Sequence, residues 1–483
     1  MRIALITLAV TAAFAVGAEE SRFNPSHSGS YLGIRIDETR EGIRVEHLME
    51  DGAALRAGLQ EGDLITGIST WNFADSQQEF VAFLKNTPPE KTTIRVLRDD
   101  TELDLQITPD PAIVITAREI ARHITGHRLF RRLKGAELEQ LEEKLVNSVR
   151  ETQTRERAYE AMNTIIGSFN LSHTAVITPW VKENLFGKGD HFHLGINIQK
   201  ANTGDRQRYF IRSMMFGSPV REAGLKIGDE IISVNNIAFK KSPRRTLAGY
   251  EAHRNIHTIQ VDRNETVSIS YRRTSNVQVK TLTISVKAPL DAVTSLKRSI
   301  RVINPEGQFP IGYLHLWNVM SGELPGLVQE ALRKELKDTK ALAIDLRGRG
   351  GQVNVIARIA RVLAREKRPI ALLIDREARS AKEMLAYRMQ KYRHITLVGE
   401  TTAGAVLPAR FIDLSGGAQL MLPVSLGDAV IRSFTSGKRL EGLGAAPDIK
   451  IPSPLPYRAG RDPILDGAVI FLRDQASGRL LKI

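Results

Sequence analysis

The sequence predicts a multidomain α/β chain. It holds two small β-rich modules and a larger core with a parallel-containing sheet in βαβαβ order, preceded by a helical segment. Two observations carry that expectation. The stretch "GAALRAGLQEGDLITGI" at 52–68 returns as "GSPVREAGLKIGDEIIS" at 217–233. From residue 340 to 399, apolar runs alternate with amphipathic stretches. The 483 residues leave room for several domains of about 100–200 residues each.

The repeat extends outward on both sides. "YLGIRI" (31–36) matches "HLGINI" (193–198), and "TTIRVLRDD" (92–100) parallels "VSISYRRT" (267–274). "AALRAG" and "SPVREAG" read as one or two helical turns stopped by glycine. Gly-Asp then turns the chain into "LITGI" or "EIISV", apolar runs of strand type. Two copies are too few for a solenoid, so they are separate modules.

Between and after the modules the pattern changes. Residues 117–166 read as helix, with Leu138, Leu141 and Leu145 at helical spacing inside "ELEQLEEKL". Farther on, "KALAIDLR" (340–347), "PIALLID" (369–375) and "ITLVG" (395–399) are buried strands. Helices at 353–366 and 380–392 separate them, which argues a parallel sheet with right-handed crossovers. The turn Gly350-Gly351 and the helix start Ser380 fall at carboxyl ends of strands, where open α/β sheets place their sites. A helix N-terminus and close-approaching glycine amides suit a developing oxyanion. A serine at a helix start is far more often an N-cap than a nucleophile, so spacing alone does not assign the catalytic role.

Composition excludes several classes. The first 18 residues read as a secretory signal peptide: Arg2, the apolar "IALITLAV" and the small-residue end "AVGA", cut after Ala18. No later stretch has 18 consecutive apolar residues, so no membrane span follows signal cleavage. There is no cysteine, which excludes a thiol nucleophile, cysteine metal sites and disulfides. An exported, disulfide-free chain fits a periplasm. The net charge is +14, with basic clusters at "HRLFRRLKG", "KKSPRR" and "RQRYFIR". No nucleic-acid reading motif accompanies them, so they read as solvated surface. His191 and His193 have strand-like spacing but no third ligand, so no metal is expected, and no cofactor either.

Both modules resemble PDZ domains of the bacterial-protease type, over 28–110 and 186–288. The resemblance implies that Leu32, Gly33 and Ile34, and Leu194, Gly195 and Ile196, receive a peptide's free carboxylate while the peptide adds as an edge strand. The apolar end "GRLLKI" (478–483) is the kind of tail such a groove accepts, and is expected to compete with substrate.

Residues 112–185 and 289–455 resemble the C-terminal processing and tricorn-type serine peptidases, which implies a helical part of the peptidase domain over 112–185 and a catalytic core over 289–483. "AIDLRGRGGQ", "LLIDREARSAKEMLA", "LVGETTAGA" and "GLGAAPDI" carry the resemblance, in the family's order. It implies Ser380 as nucleophile, three residues before Glu383. The lysine usual 25 residues later in the processing branch is Ala405 here, and the aspartate usual at 11 is Lys391. The tricorn branch instead implies a histidine base in a Ser-His pair. "FNLSHTAV" supplies Ser172 and His173, and "KRLEGLGAAPDI" supplies Glu441. By the same resemblance the amides of Gly351 and Ala381 form the oxyanion hole. A histidine base at its ordinary pKa of about 6.5 implies a rate that rises across mildly acidic pH.

Two features depart from the family pattern: Arg349 beside the glycine turn, and "REAR" in place of small residues before Ser380. The expected function is an exported serine endopeptidase acting on protein or peptide substrates with exposed C-termini. The alternatives are an inactive peptidase-fold PDZ scaffold and, less well matched, a chymotrypsin-like protease with PDZ modules. The oligomeric state is left open, a homo-oligomer included.

Overall fold

The computed structural model describes residues 29–476, apart from 40–41, 51, 73–76, 88, 153, 187–189, 304–308, 425–434 and 438. The expected signal peptide and the tail "GRLLKI" lie outside the described residues. The chain forms two compact units, 1–169 with 412–420, and 170–411 with 421–483.

In the first unit, the first module is an antiparallel sheet in the order Ile34–Thr39, Gly42–Leu48, Leu64–Ile68, Thr92–Arg98, Thr101–Ile107. Alternate residues such as Ile43, Val45, Ile65, Ile94 and Val96 are fully buried, the period-two signature of a half-buried sheet. The helix Gln77–Asn86 packs beside Ile34–Thr39. The expected helical run is broken into Ile113–Thr125, Arg128–Lys134, Leu141–Arg150 and Arg155–Gly167. The Thr154 hydroxyl caps the last by accepting the Arg157 amide at 3.3 Å. These helices group with the first module rather than with the peptidase core.

The repeated Gly-Asp has one physical meaning in both modules. The Asp63 carboxylate accepts the Gln60 amide at 2.9 Å and two Arg98 bonds at 2.7 and 2.8 Å. Asp229 accepts the Lys226 amide at 2.9 Å and two Arg273 bonds at 3.0 and 2.9 Å. The buried carboxylate closes the turn and ties it to the next long strand, so aspartate and arginine recur together.

The second unit contains the second module and the core sheet. The module's sheet runs Arg245–Leu247, Ile256–Ile259, Ile196–Thr203, Arg206–Met214, Glu230–Val234, Thr266–Arg272, Lys280–Ser285. The core sheet runs Arg301–Ile303, Ile311–His315, Ala341–Asp345, Ile370–Ile374, Ile395–Gly399, Ile449–Lys450. Its first pair is antiparallel and the rest are parallel. Both faces are covered, which is why these strands read as unbroken apolar runs. Leu342, Ile344, Leu372 and Leu397 face the helices Leu324–Arg333, Val353–Arg365 and Ala381–Met389. Ala341, Ala343, Leu373 and Val398 face the helix Pro463–Ala476. The expected strands and helices between 340 and 399 are all present. No helix among the described residues is long and apolar enough to cross a membrane.

Candidate active site

The strand Ile370–Ile374 ends in a short loop that delivers Ser380 to the start of the helix Ala381–Met389. Ser380 has φ 55° and ψ −125°, a conformation that costs a non-glycine residue of order 1–3 kcal/mol and persists only where the surroundings over-determine it. They do so here. The Ser380 amide donates to Glu383 Oε1 at 3.0 Å and to the Ala405 carbonyl at 2.9 Å. Glu383 is fully buried. It also accepts the Ala405 amide at 2.8 Å, the Gly404 amide at 2.5 Å and the Thr402 hydroxyl at 2.6 Å. Burial pushes its carboxyl up to about 7 against those four donors.

The glycine turn lies directly against this elbow. A Cβ at Gly350 would stand 2.9 Å from both the Ser380 Cβ and the Arg379 carbonyl, so only glycine fits. The turn is anchored from below, where Arg347 bridges Asp345 at 2.6 Å and Asp462 at 2.7 Å. Among the described residues, neither the Gly351 amide nor the Ala381 amide donates a hydrogen bond.

His173 lies in a tight turn at φ 53° and is buried beside Ser172. Its Nδ1 is 3.4 Å from the Ser172 hydroxyl, which in turn is hydrogen-bonded to the Glu441 carboxylate. Glu441 also accepts the Val406 and Leu407 amides at 2.8 and 3.2 Å. The order is therefore Glu441, Ser172, His173, with the serine hydroxyl between carboxylate and imidazole. His173 and the Ser380 hydroxyl are not hydrogen-bonded to each other; such bonds are often long without substrate. Burial pushes the imidazole down to about 4, with Glu251 opposing and Arg379 reinforcing the shift. That is well below the ordinary value expected from sequence, and the reason is burial.

Both departures from the family pattern are accounted for by a residue group that sequence reasoning missed. Arg349 and Arg379 stack on the ring of buried Tyr250, at 4.3 and 4.7 Å. Arg379 pairs with buried Glu251 at 2.7 Å. Glu377 of "REAR" accepts from Arg212 at 3.2 Å and from the Ser213 hydroxyl at 2.8 Å. Tyr250 and Glu251 belong to the second module. One signal could have found them: residues 239–265 are longer than their counterpart 73–91 and lack the amphipathic pattern of "QQEFVAFLKN".

Lys382 is fully buried. Its Nζ donates to the carbonyls of Leu316, Trp317 and Arg347, the last two at 2.9 and 3.3 Å. Burial pushes it down to about 7.

The two carboxylate loops differ. In the first module Ile34–Thr39 is an edge strand among the described residues, and the Leu32 and Gly33 amides donate no hydrogen bond there. Gly33 has φ 74°, and a Cβ on it would stand 2.6 Å from the Gly52 Cα. In the second module the Gly195 amide is already donated to His193 Nδ1 at 2.9 Å. The edge of Ile196–Thr203 is paired with Ile256–Ile259, through Ile198 with His257 and Gln199 with Ile256. Of the place expected for a peptide at Leu194, Gly195 and Ile196, the chain itself uses the Gly195 amide and the adjoining strand edge at Ile198 and Gln199.

Comparison with known proteins agrees with this architecture. Residues 363–451 match the model of peptidase family S41, and residues 30–108 and 185–248 match PDZ domain models. A carboxyl-terminal-processing protease of Synechocystis sp. is 22% identical over 349 residues, covering 65% of this chain and 75% of that protein. The carboxy-terminal processing protease CtpB of Bacillus subtilis is 23% identical over 272 residues, covering 50% of this chain and 52% of that protein. Among solved structures, a photosystem II D1 C-terminal processing protease matches with a TM-score of 0.46 at 18% identity, over 77% of this chain and 100% of that one. The chain thus carries a region of peptidase family S41 and two PDZ domains, the make-up of a serine-type peptidase.

Proposed function

We propose that this chain is an exported endopeptidase that cleaves proteins near exposed or disordered C-termini by a Ser-His-Glu relay. Ser380 attacks the scissile carbonyl and His173 takes its proton, later giving it to the leaving amine. Glu441, acting through the Ser172 hydroxyl, holds the imidazole and stabilises the cation that forms. The amides of Gly351 and Ala381 bind the oxyanion. The observation that carries the reading is the strained Ser380 elbow pressed against Gly350, with two undonated amides beside it. The first PDZ domain, through Leu32, Gly33 and Ile34, captures the substrate tail. Residues 1–18 and the absence of cysteine support a periplasmic location.

The test is digestion of a disordered, casein-like substrate by the mature protein and by Ser380→Ala, with products read by mass spectrometry. Cleavage lost in Ser380→Ala, with products clustered toward the substrate C-terminus, is expected. No cleavage by the unmodified protein would return it to a peptide-binding scaffold.

A further inference from the structure

The two PDZ domains diverge at one place. In the first, the segment between Trp71–Asn72 and Thr92–Arg98 carries the helix Gln77–Asn86. In the second, the segment between Ile237–Ala238 and Thr266–Arg272 carries an antiparallel hairpin, Arg245–Leu247 with Ile256–Ile259. That hairpin supplies the strand that covers the edge of Ile196–Thr203. The Gly195 amide is spent on His193. Ladder edge and carboxylate loop are the two things a PDZ domain offers a peptide; here the edge is paired from within at Ile198 and Gln199, and the central amide of the loop is spent.

The tip of the same hairpin, residues 248–254, docks on the histidine turn, the glycine turn and the loops on either side of Ser380. The Ala252 amide donates to the Thr174 carbonyl at 2.9 Å, which sets Glu251 against the neighbour of His173. Arg254 donates to the Arg376 carbonyl at 2.7 Å and the Ala403 carbonyl at 3.1 Å. Arg349, beside the glycine turn, donates to the Ala248 and Gly249 carbonyls. The Tyr250 hydroxyl accepts from Asn197 at 2.8 Å. Glu251 is buried. One carboxylate oxygen, Oε2, meets Arg379 at 2.7 Å and Arg254 at 3.3 Å, while Oε1 is buried without a hydrogen-bond partner among the described residues.

We propose that the second PDZ domain is a wall of the active site rather than a peptide receptor, and that Glu251 at its hairpin tip is a positioning residue for His173 and the Ser380 loop. The proposal rests on the Ser380–His173 reading above. Arg379 is the residue before the nucleophile, so the Glu251–Arg379 pair couples the elbow to the histidine turn. When His173 takes the Ser380 proton, a cation forms in a buried place. Two carboxylates then flank it, Glu441 through Ser172 and Glu251 from the hairpin; Arg379, Arg254, Arg349 and His253 are the other titratable groups around Glu251. Burial would raise the Glu251 carboxyl, but Arg379, His173 and Arg254 outweigh it and hold it down at about 2, so it stays charged.

The test uses the full chain and a peptide substrate with a free C-terminus. Glu251→Gln keeps the shape and removes the charge. It is expected to lower kcat about tenfold or more, with KM within about twofold, because the lost interaction is made only as the cation forms. Glu251→Asp is expected to recover part of kcat. Binding of a free-carboxylate peptide to Ser380→Ala is expected to show one site per chain that weakens when the peptide C-terminus is amidated. A Glu251→Gln enzyme with unchanged kcat, a loss confined to KM, or a loss that Glu251→Asp does not reduce would each overturn the role of Glu251. A second site per chain that weakens when the peptide C-terminus is amidated would overturn the wall. If Glu251→Gln fails to fold, the kcat of Glu251→Asp decides: a value below that of the unmodified enzyme at equal KM is expected, and an unchanged value overturns the role. Ser380→Ala activity separates the levels: if it stays fully active the underlying site reading fails, and if it is dead while Glu251→Gln is normal only this inference fails.

Discussion

Ser380 holds φ 55° because Glu383 and Ala405 both bind its amide, so the geometry of the proposed nucleophile depends on a fully buried carboxyl. Glu383→Gln replaces one acceptor oxygen by an NH2 that faces the Gly404 amide and the Thr402 hydroxyl. A buried donor left without an acceptor costs about 1–3 kcal/mol, so a lower melting temperature and a lower kcat are expected together, read by calorimetry and by peptide turnover. His173 supplies a second prediction. Only the neutral imidazole accepts the serine proton, and burial places its pKa at about 4. The rate kcat/KM should rise with pH through about 4 and be flat near neutrality. The folded pKa lies below the unfolded one, so this histidine contributes stability above about pH 6.5 and loses it as pH falls toward 4. His173→Ala should fall to the level of Ser380→Ala, since the members act as a unit. An acid limb at about 6.5 would show a solvated histidine instead. Lys382 is committed to three carbonyls and is no substitute base.

The elements of the two PDZ domains repeat where the turn chemistry repeats. Asp229 is fully buried and Arg273 partly so, and removing one member of a buried pair strands the other, so Asp229→Ala should cost roughly 3 kcal/mol of stability by chemical denaturation. Asp63→Ala should act alike on the first domain, through Arg98. The domains part where the second replaces a helix by a hairpin. Amidating a peptide's C-terminus should weaken its binding to the full chain, measured by calorimetry, because the Leu32-Gly33-Ile34 loop offers amides to a carboxylate. Equal affinity for acid and amide forms would remove the carboxylate role from that loop.

Across the whole molecule, the proposed export makes a concrete demand. Protein recovered from the periplasm of an expressing cell should begin at Glu19, by intact mass. A chain retaining residues 1–18 would point to an uncleaved anchor.

The sequence by itself determined the repeat, the parallel core, and the residues around the nucleophile. These depend on local chemistry: a glycine that must have positive φ, an aspartate that must close a turn, strands that must be apolar on both faces. "AIDLRGRGG" and "REARSAKE" therefore disclose the elbow without coordinates. Tertiary structure decided what those signals could not carry. Gly195 looks like Gly33 in sequence, yet its amide is spent on His193, and only the fold brings Ile256–Ile259 to the neighbouring strand edge. Arg349 and Arg379 read as disruptions until Tyr250 and Glu251, about 100 to 130 residues earlier in the chain, stack and pair with them. Contacts between distant segments depend on how elements pack in three dimensions, and no local pattern records them. The charge that borders His173 is of that kind.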